Sequence, residues 1–195
     1  MVRLFIAIQL PVEVQEVLGA TQSMLARQPI SVRWVDPSGT HLTLKFLGAT
    51  PLERVGLIET ALEEVVQRHH PFLLKTAGVG VFPTRKAPRV IWLGVAGDLG
   101  ALGAIQRDVE QFVAPLGYPT ERRAFNPHLT LGRALKGAEP AEVARVGQMV
   151  SATTAPPPVI WQVSRVSLMR SELGPGGPRY LCMRAWTLTE WAPLL

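Results

Sequence analysis

The sequence predicts an α+β fold of two pseudo-symmetric lobes, each a mainly antiparallel sheet with flanking helices, around a central cleft. Three observations carry that expectation. Segments of strand and helix period are mixed along the 195 residues, and several strand segments follow one another closely. No glycine-rich dinucleotide loop and no phosphate-binding P-loop is present, which disfavours a doubly wound parallel sheet. A tetrapeptide recurs: His41-Leu42-Thr43-Leu44 returns as His128-Leu129-Thr130-Leu131, each time within the order strand, helix, His strand, helix, strands. Residues 1–195 are therefore expected to form a single bilobal domain, an internal duplication with one motif per repeat.

Arg3 to Leu10 reads as a buried strand. Pro11 suits a first helical position, and Val14, Val17, Leu18, Thr21 and Leu25 continue a helix to about Arg27. Ser31 to Trp34 is a short strand, Asp36-Pro37-Ser38-Gly39 a turn, and His41 to Leu47 a second clear strand. Thr50-Pro51-Leu52-Glu53 has the form of a capping box, and Val55, Ile58, Leu62 and Val65 carry a helix face to about Gln67. Three strands are expected at Phe72 to Thr76, Val79 to Phe82 and Arg89 to Val95. Asp98 can cap a third helix with Leu99, Leu102, Ile105, Val109, Phe112 and Val113 on one face, stopped at Gly117. A polar stretch, Thr120 to Arg123, precedes a strand at His128 to Leu131, then a helix from Pro140 to Val150. Ala155-Pro156-Pro157-Pro158 is a rigid connector. The last strands are Val159 to Val163, Val166 to Arg170 and Arg179 to Leu188, with Gly174-Pro175-Gly176-Gly177-Pro178 read as a mobile flap.

Composition bounds the function. Hydrophobic residues make up 47% of the chain and charged ones 18%, which argues against disorder. The apolar runs fall short of a membrane span, and no signal-peptide region fits the N-terminus. A single cysteine, Cys182, excludes an internal disulfide framework and a cysteine-based zinc site. A cytoplasmic location is expected. Seventeen prolines and one asparagine suit a heat-stable protein. The net charge is +5, mostly from arginine, which favours bidentate contact with phosphate.

Histidine is scarce, with four in the chain, so its placement is informative. In a strand, side chains at i and i+2 share a face. His41 and Thr43 thus point one way while Leu42 and Leu44 point to the core, and His128 and Thr130 do the same. Related by a pseudo-twofold, the pairs would face each other across one cleft. Two imidazoles can serve as general base and general acid at one reacting centre, and two hydroxyls can donate to phosphate oxygens. Lys45 shares the face of His41 by parity. Arg133 has the opposite parity to His128 and would reach the site only from the strand end or through a bulge. His69 and His70 read as a solvated helix end.

These motifs carry a resemblance. Two His-x-Thr-x motifs on strands resemble those of the two-histidine phosphoesterase superfamily, most closely the bacterial and archaeal 2′-5′ RNA ligase group, also called RNA 2′,3′-cyclic phosphodiesterase. Arg3-Leu4-Phe5-Ile6-Ala7 resembles that group's opening strand. Arg33-Trp34-Val35 with Thr40-His41-Leu42-Thr43-Leu44-Lys45-Phe46-Leu47-Gly48 is similar to its first signature, and Phe125-Asn126-Pro127-His128-Leu129-Thr130-Leu131-Gly132-Arg133 to its second. Ser167-Leu168-Met169-Arg170-Ser171 with Tyr180 resembles its C-terminal segment.

The resemblance implies hydrolysis of RNA 2′,3′-cyclic phosphate ends to 2′-phosphomonoesters, without metal or other cofactor, and a reverse 2′-5′ ligation. It implies His41 and His128 as the acid–base pair; either assignment is open, and the one adopted has His41 as acid on the departing 3′ oxygen and His128 as base on water. Thr43, Thr130, Arg133, Lys45, Phe46 and Tyr180 are the expected substrate-binding residues. The expected partner is RNA with a cyclic phosphate end, tRNA fragments included, and the expected state is a monomer away from membranes. Two alternatives stand beside this reading. One is a non-catalytic RNA or nucleotide-binding module using aromatics such as Trp34, Phe46 and Tyr180. The other is a phosphodiesterase for another cyclic or 2′,5′-linked nucleotide.

Overall fold

The apolar run after Arg3 is buried on both of its faces, and the reason lies in its neighbours. In the computed structural model, which describes residues 1–27, 30–135, 137–174 and 177–190, strand β1 (Val2–Gln9) lies inside a four-stranded sheet. Leu4, Ile6 and Ile8 face the main core, while Phe5 and Ala7 join Met169 in a second cluster on the opposite face.

The chain continues through α1 (Val12–Leu25), β2 (Val32–Trp34), β3 (His41–Thr50), α2 (Val55–Val66), β4 (Phe72–Thr84), β5 (Ala87–Gly97) and α3 (Leu99–Val113). It ends with β6 (His128–Ala134), α4 (Pro140–Ala152), β7 (Ile160–Val163), β8 (Arg165–Gly174) and β9 (Gly177–Thr187). The first sheet has the order β3-β1-β8-β9 and the second β2-β6-β5-β4-β7. All described pairings are antiparallel. Leaving out β2, the orders correspond strand for strand: β3 with β6, β1 with β5, β8 with β4, β9 with β7. α1 and α3 follow the same symmetry, and α2 and α4 share only the equivalent strands β8 and β4. α1 crosses to pack beside β6 and α3 beside β3, while α2 lies on β8 and β9 and α4 on β4 and β5. The α+β class with two pseudo-symmetric lobes is thus borne out, and one apolar cluster runs through the helices and both sheets.

Local rules explain most boundaries. The Asp98 carboxylate accepts from the Ala101 amide at 2.9 Å and opens α3. Gly117 closes the following turn at φ +89°, a conformation that glycine adopts without a Cβ clash. Three expectations are corrected, and a fourth falls partly outside the described residues. Thr50 does not cap α2: it is the buried last residue of β3, its hydroxyl is held by Gly48 and Tyr118, and α2 opens without a side-chain cap. The two strands expected between Phe72 and Phe82 are one strand, β4, with its register shifted between Thr76 and Val79. His69 and His70 are not a solvated end. His69 Nε2 pairs with Asp108 on α3 at 2.9 Å, and His70 Nδ1 meets the Thr189 carbonyl at 2.7 Å. Of the expected flap, Gly174 and Gly177 are hairpin partners joining β8 to β9, while Pro175 and Gly176 lie outside the described residues.

Candidate active site

β3 and β6 each begin with the repeated histidine, and both lead into the same irregularity. β1 pairs Ala7 with Thr43 and Ile6 with Lys45, so Leu44 is an extra residue in β3. β5 pairs Trp92 with Thr130 and Ile91 with Gly132, so Leu131 is extra in β6. A bulge of this kind inverts side-chain parity beyond it. Leu44 and Lys45 both turn inward, as do Leu131 and Gly132. Phe46 and Arg133 are thereby returned to the face of the histidines, at equivalent positions on the two strands.

A cleft of about 550 Å³ opens between the sheets. His41 and Thr43 line it from one sheet, His128 and Thr130 from the other. Phe46, Arg133 and Tyr180, three of the expected substrate-binding residues, also line it. Lys45 is the exception and is corrected here. The bulge sends it to the core face, where Nζ donates to Glu110 at 2.5 Å and to the Pro119 carbonyl at 2.9 Å. It is absent from the cleft lining.

Both imidazoles are anchored alike. His41 Nδ1 lies 3.0 Å from the Gly39 carbonyl, and His128 Nδ1 lies 2.8 Å from the Asn126 carbonyl. A carbonyl can only accept, so each Nδ1 carries the proton and donates. Nε2 is left as the proton-exchanging atom on both rings. His41 packs on Phe5 with ring centroids 4.5 Å apart and meets Tyr180 edge-on at 4.7 Å. Burial against these rings lowers its pKa from the ordinary 6.5, only partly offset by the Gly39 contact. His128 meets Phe82 edge-on at 5.0 Å. Neither Thr43 nor Thr130 makes a side-chain hydrogen bond to a described residue, so both hydroxyls are available to a ligand. Trp34 is half-buried, packed against the core beside Gly132.

Sequence reasoning missed Arg33 and Arg179, which also line the cleft. Arg33 was within reach, since its place beside Trp34 in a short strand before the first histidine put it near the site. Arg179 depends on how β9 returns, which no local pattern reveals. Among the described residues, no three His, Cys, Asp or Glu side chains come together to hold a metal ion.

Two facing sheets, each offering one histidine and one threonine to a shared cleft, define the two-histidine phosphoesterase class. Within it, the chain belongs to the 2′-5′ RNA ligase superfamily, whose model matches residues 12–175. It is 32% identical to an RNA 2′,3′-cyclic phosphodiesterase of Methanothermobacter thermautotrophicus, over 96% of this chain and 99% of that one. A protein of the same name from Thermus thermophilus is 32% identical over 95% of this chain and 90% of its own length. Among solved structures, one of a Thermus thermophilus protein aligns with a TM-score of 0.77 at 30% identity, covering 96% of this chain and 98% of that one. E. coli LigT in complex with 3′-AMP aligns at 0.73 with 30% identity, covering 97% and 99%. No described helix is long and apolar enough to cross a membrane.

Proposed function

We propose that the protein hydrolyses RNA 2′,3′-cyclic phosphate ends to 2′-phosphomonoesters by acid–base catalysis between His41 and His128. The observation that carries this is the paired anchoring of the two imidazoles. Each has Nδ1 tied to the carbonyl two residues before it, and each stands beside an uncommitted threonine hydroxyl in the same cleft. A binding module would have no use for two proton-exchanging nitrogens fixed in this way. The curated relatives' shared name points to the same substrate class.

The chemistry follows from the arrangement. The cyclic phosphate sits between the two rings. His128 Nε2 takes a proton from water as the water oxygen bonds to phosphorus. The bond from phosphorus to the 3′ oxygen breaks, and His41 Nε2 gives that oxygen its proton, leaving a 3′-hydroxyl and a 2′-phosphate. Thr43 and Thr130 donate to the non-bridging oxygens as charge builds there, and Arg133, on the same strand as Thr130, adds positive charge to the cleft as a whole. No step draws on a metal ion or cofactor. With a 5′-hydroxyl in place of water, the same groups would join RNA ends through a 2′,5′ linkage. Phe46 and Tyr180 offer flat surfaces to the terminal nucleoside. We read the two lobes as halves of one duplicated domain acting as a cytoplasmic monomer, with tRNA fragments among its substrates.

A short RNA ending in a 2′,3′-cyclic phosphate, incubated with and without EDTA, tests the reading. The expected product keeps its phosphate on the 2′ oxygen in both cases. A 3′-phosphate product, or loss of turnover with EDTA, would overturn it.

A further inference from the structure

One pair of charges in the cleft has no counterion among the described residues. β2 is a three-residue edge strand, and its register sets Arg33 directly opposite Arg133 of β6. Residues opposite each other in an antiparallel pair share a face at a Cβ separation of about 5 Å, and like charges there repel. Both side chains are exposed and line the cleft. Neither has an ion pair or a hydrogen bond to any described residue. Asp36, which lines the same cleft, commits its Oδ1 to the amide and hydroxyl of Ser38. Some other arginines are matched, Arg184 with Glu59 at 3.1 Å and Arg170 with Glu172 at 2.9 Å, whereas Arg179 makes no ion pair among the described residues. Arg179, across the cleft, has Glu172 as its cross-strand neighbour.

The fold goes out of its way to place this pair. Gly132 is the cross-strand partner of Trp34. A Cβ on Gly132 would lie 2.7 Å from Val32 Cγ1 and 2.9 Å from the Trp34 ring. Glycine lets β2 close onto β6 without displacing either side chain, and that closure brings Arg33 over Arg133. β2 also has no counterpart in the first sheet, so this outer guanidinium breaks the pseudo-symmetry of the site. It stands one strand, about 5 Å, farther than Arg133 from the strand that carries His128 and Thr130.

We propose that Arg33, with Arg133 beside it, binds the phosphodiester preceding the cyclic end, so that β2 selects an RNA chain over a cyclic mononucleotide. The inference rests on the function proposed above. An anion shared between the two guanidiniums removes their repulsion, and each can meet it with two parallel N–H donors.

The test uses two dinucleotides with 2′,3′-cyclic phosphate ends. One has an ordinary phosphodiester link and the other a neutral methylphosphonate link, so they differ by one charge far from the reacting phosphorus. The readout is the ratio of their kcat/KM values within each protein. In the wild type the charged substrate should be favoured by about tenfold to a hundredfold, the range expected for hydrogen bonds to a charged group. Arg33→Gln should bring the ratio close to one, and Arg33→Lys should restore part of it. The wild-type preference should also shrink as salt rises. A wild-type ratio near one, or a ratio unchanged in Arg33→Gln, would overturn the inference while leaving the hydrolase standing. A wild type that turns over neither dinucleotide would overturn the hydrolase itself, and this inference with it.

Discussion

The Nδ1 of His128 lies 2.8 Å from the carbonyl oxygen of Asn126, and His41 repeats the contact with Gly39 at 3.0 Å. Each bond fixes one tautomer and leaves Nε2 as the unprotonated nitrogen of a ring that lines the cleft. If one ring gives a proton while the other takes one, neither works alone. His41→Ala and His128→Ala should each lower kcat by about 10²–10⁴-fold. The double variant should be little worse than either single one, because groups that act as a unit are not additive. Single-turnover rates on a cyclic-phosphate RNA check this. A single variant of near wild-type rate would remove that residue from the mechanism.

His41 should titrate below its ordinary value of 6.5, because burial against Phe5 and Tyr180 disfavours the imidazolium. The sign is definite. As pH rises through this depressed pKa, His41 loses its proton earlier than an exposed histidine would. In its proposed role as acid it is then the stronger donor, but the competent fraction falls sooner. Tyr180→Ser opens the ring to solvent and should move the midpoint up. NMR titration of the ring protons in the free protein measures both, and a midpoint at or above 6.5 in the wild type would contradict the burial argument.

Lys45 should matter for stability and not for substrate contact. Its ammonium and the Glu110 carboxylate are almost wholly buried, at 5% and 10% side-chain exposure. Glu110 also accepts from the Glu121 amide at 3.0 Å, and Lys45 donates to Pro119, so the pair ties β3 to the segment that leads into the second histidine. Lys45→Met leaves a buried carboxylate unpaired and should cost about 3–5 kcal/mol. Removing both charges, as Lys45→Met with Glu110→Leu, should recover much of that loss. Urea unfolding of the wild type and both variants gives the comparison.

Lys45 also marks where sequence reading stopped. The strands, the helix faces and the two His-Thr pairs were legible because each rests on a local period or an exact repeat. Parity counting beyond Thr43 assumes an unbroken strand, and the bulge at Leu44 breaks it. The assumption misplaced Lys45 and made Arg133 look misdirected, although its possible route through a bulge was the right one. Thr50 failed as a cap for a different reason: Tyr118, 68 residues away, claims its hydroxyl. Arg33 was overlooked because its importance lies in facing another arginine across two strands, which only the register of β2 reveals.

Phe46 and Arg133 occupy equivalent positions on β3 and β6, one an aromatic ring and the other a cation. The bulges deliver both to the cleft, so their difference is where the two halves of the site part company. Phe46 is 72% exposed and lines the cleft, so its ring is accessible to a ligand there. Its neighbouring ring, Phe5, is 6.1 Å away, leaving a face open for a base. Phe46→Ala should raise KM for a cyclic-phosphate RNA by roughly 5–150-fold, the value of about 1–3 kcal/mol of lost stacking. Its kcat should change little, since an apolar ring neither moves a proton nor donates to phosphate oxygens, and Phe46→Trp should preserve binding. Steady-state kinetics on one substrate separate the two parameters. A fall confined to kcat would instead place Phe46 in the alignment of the reacting groups.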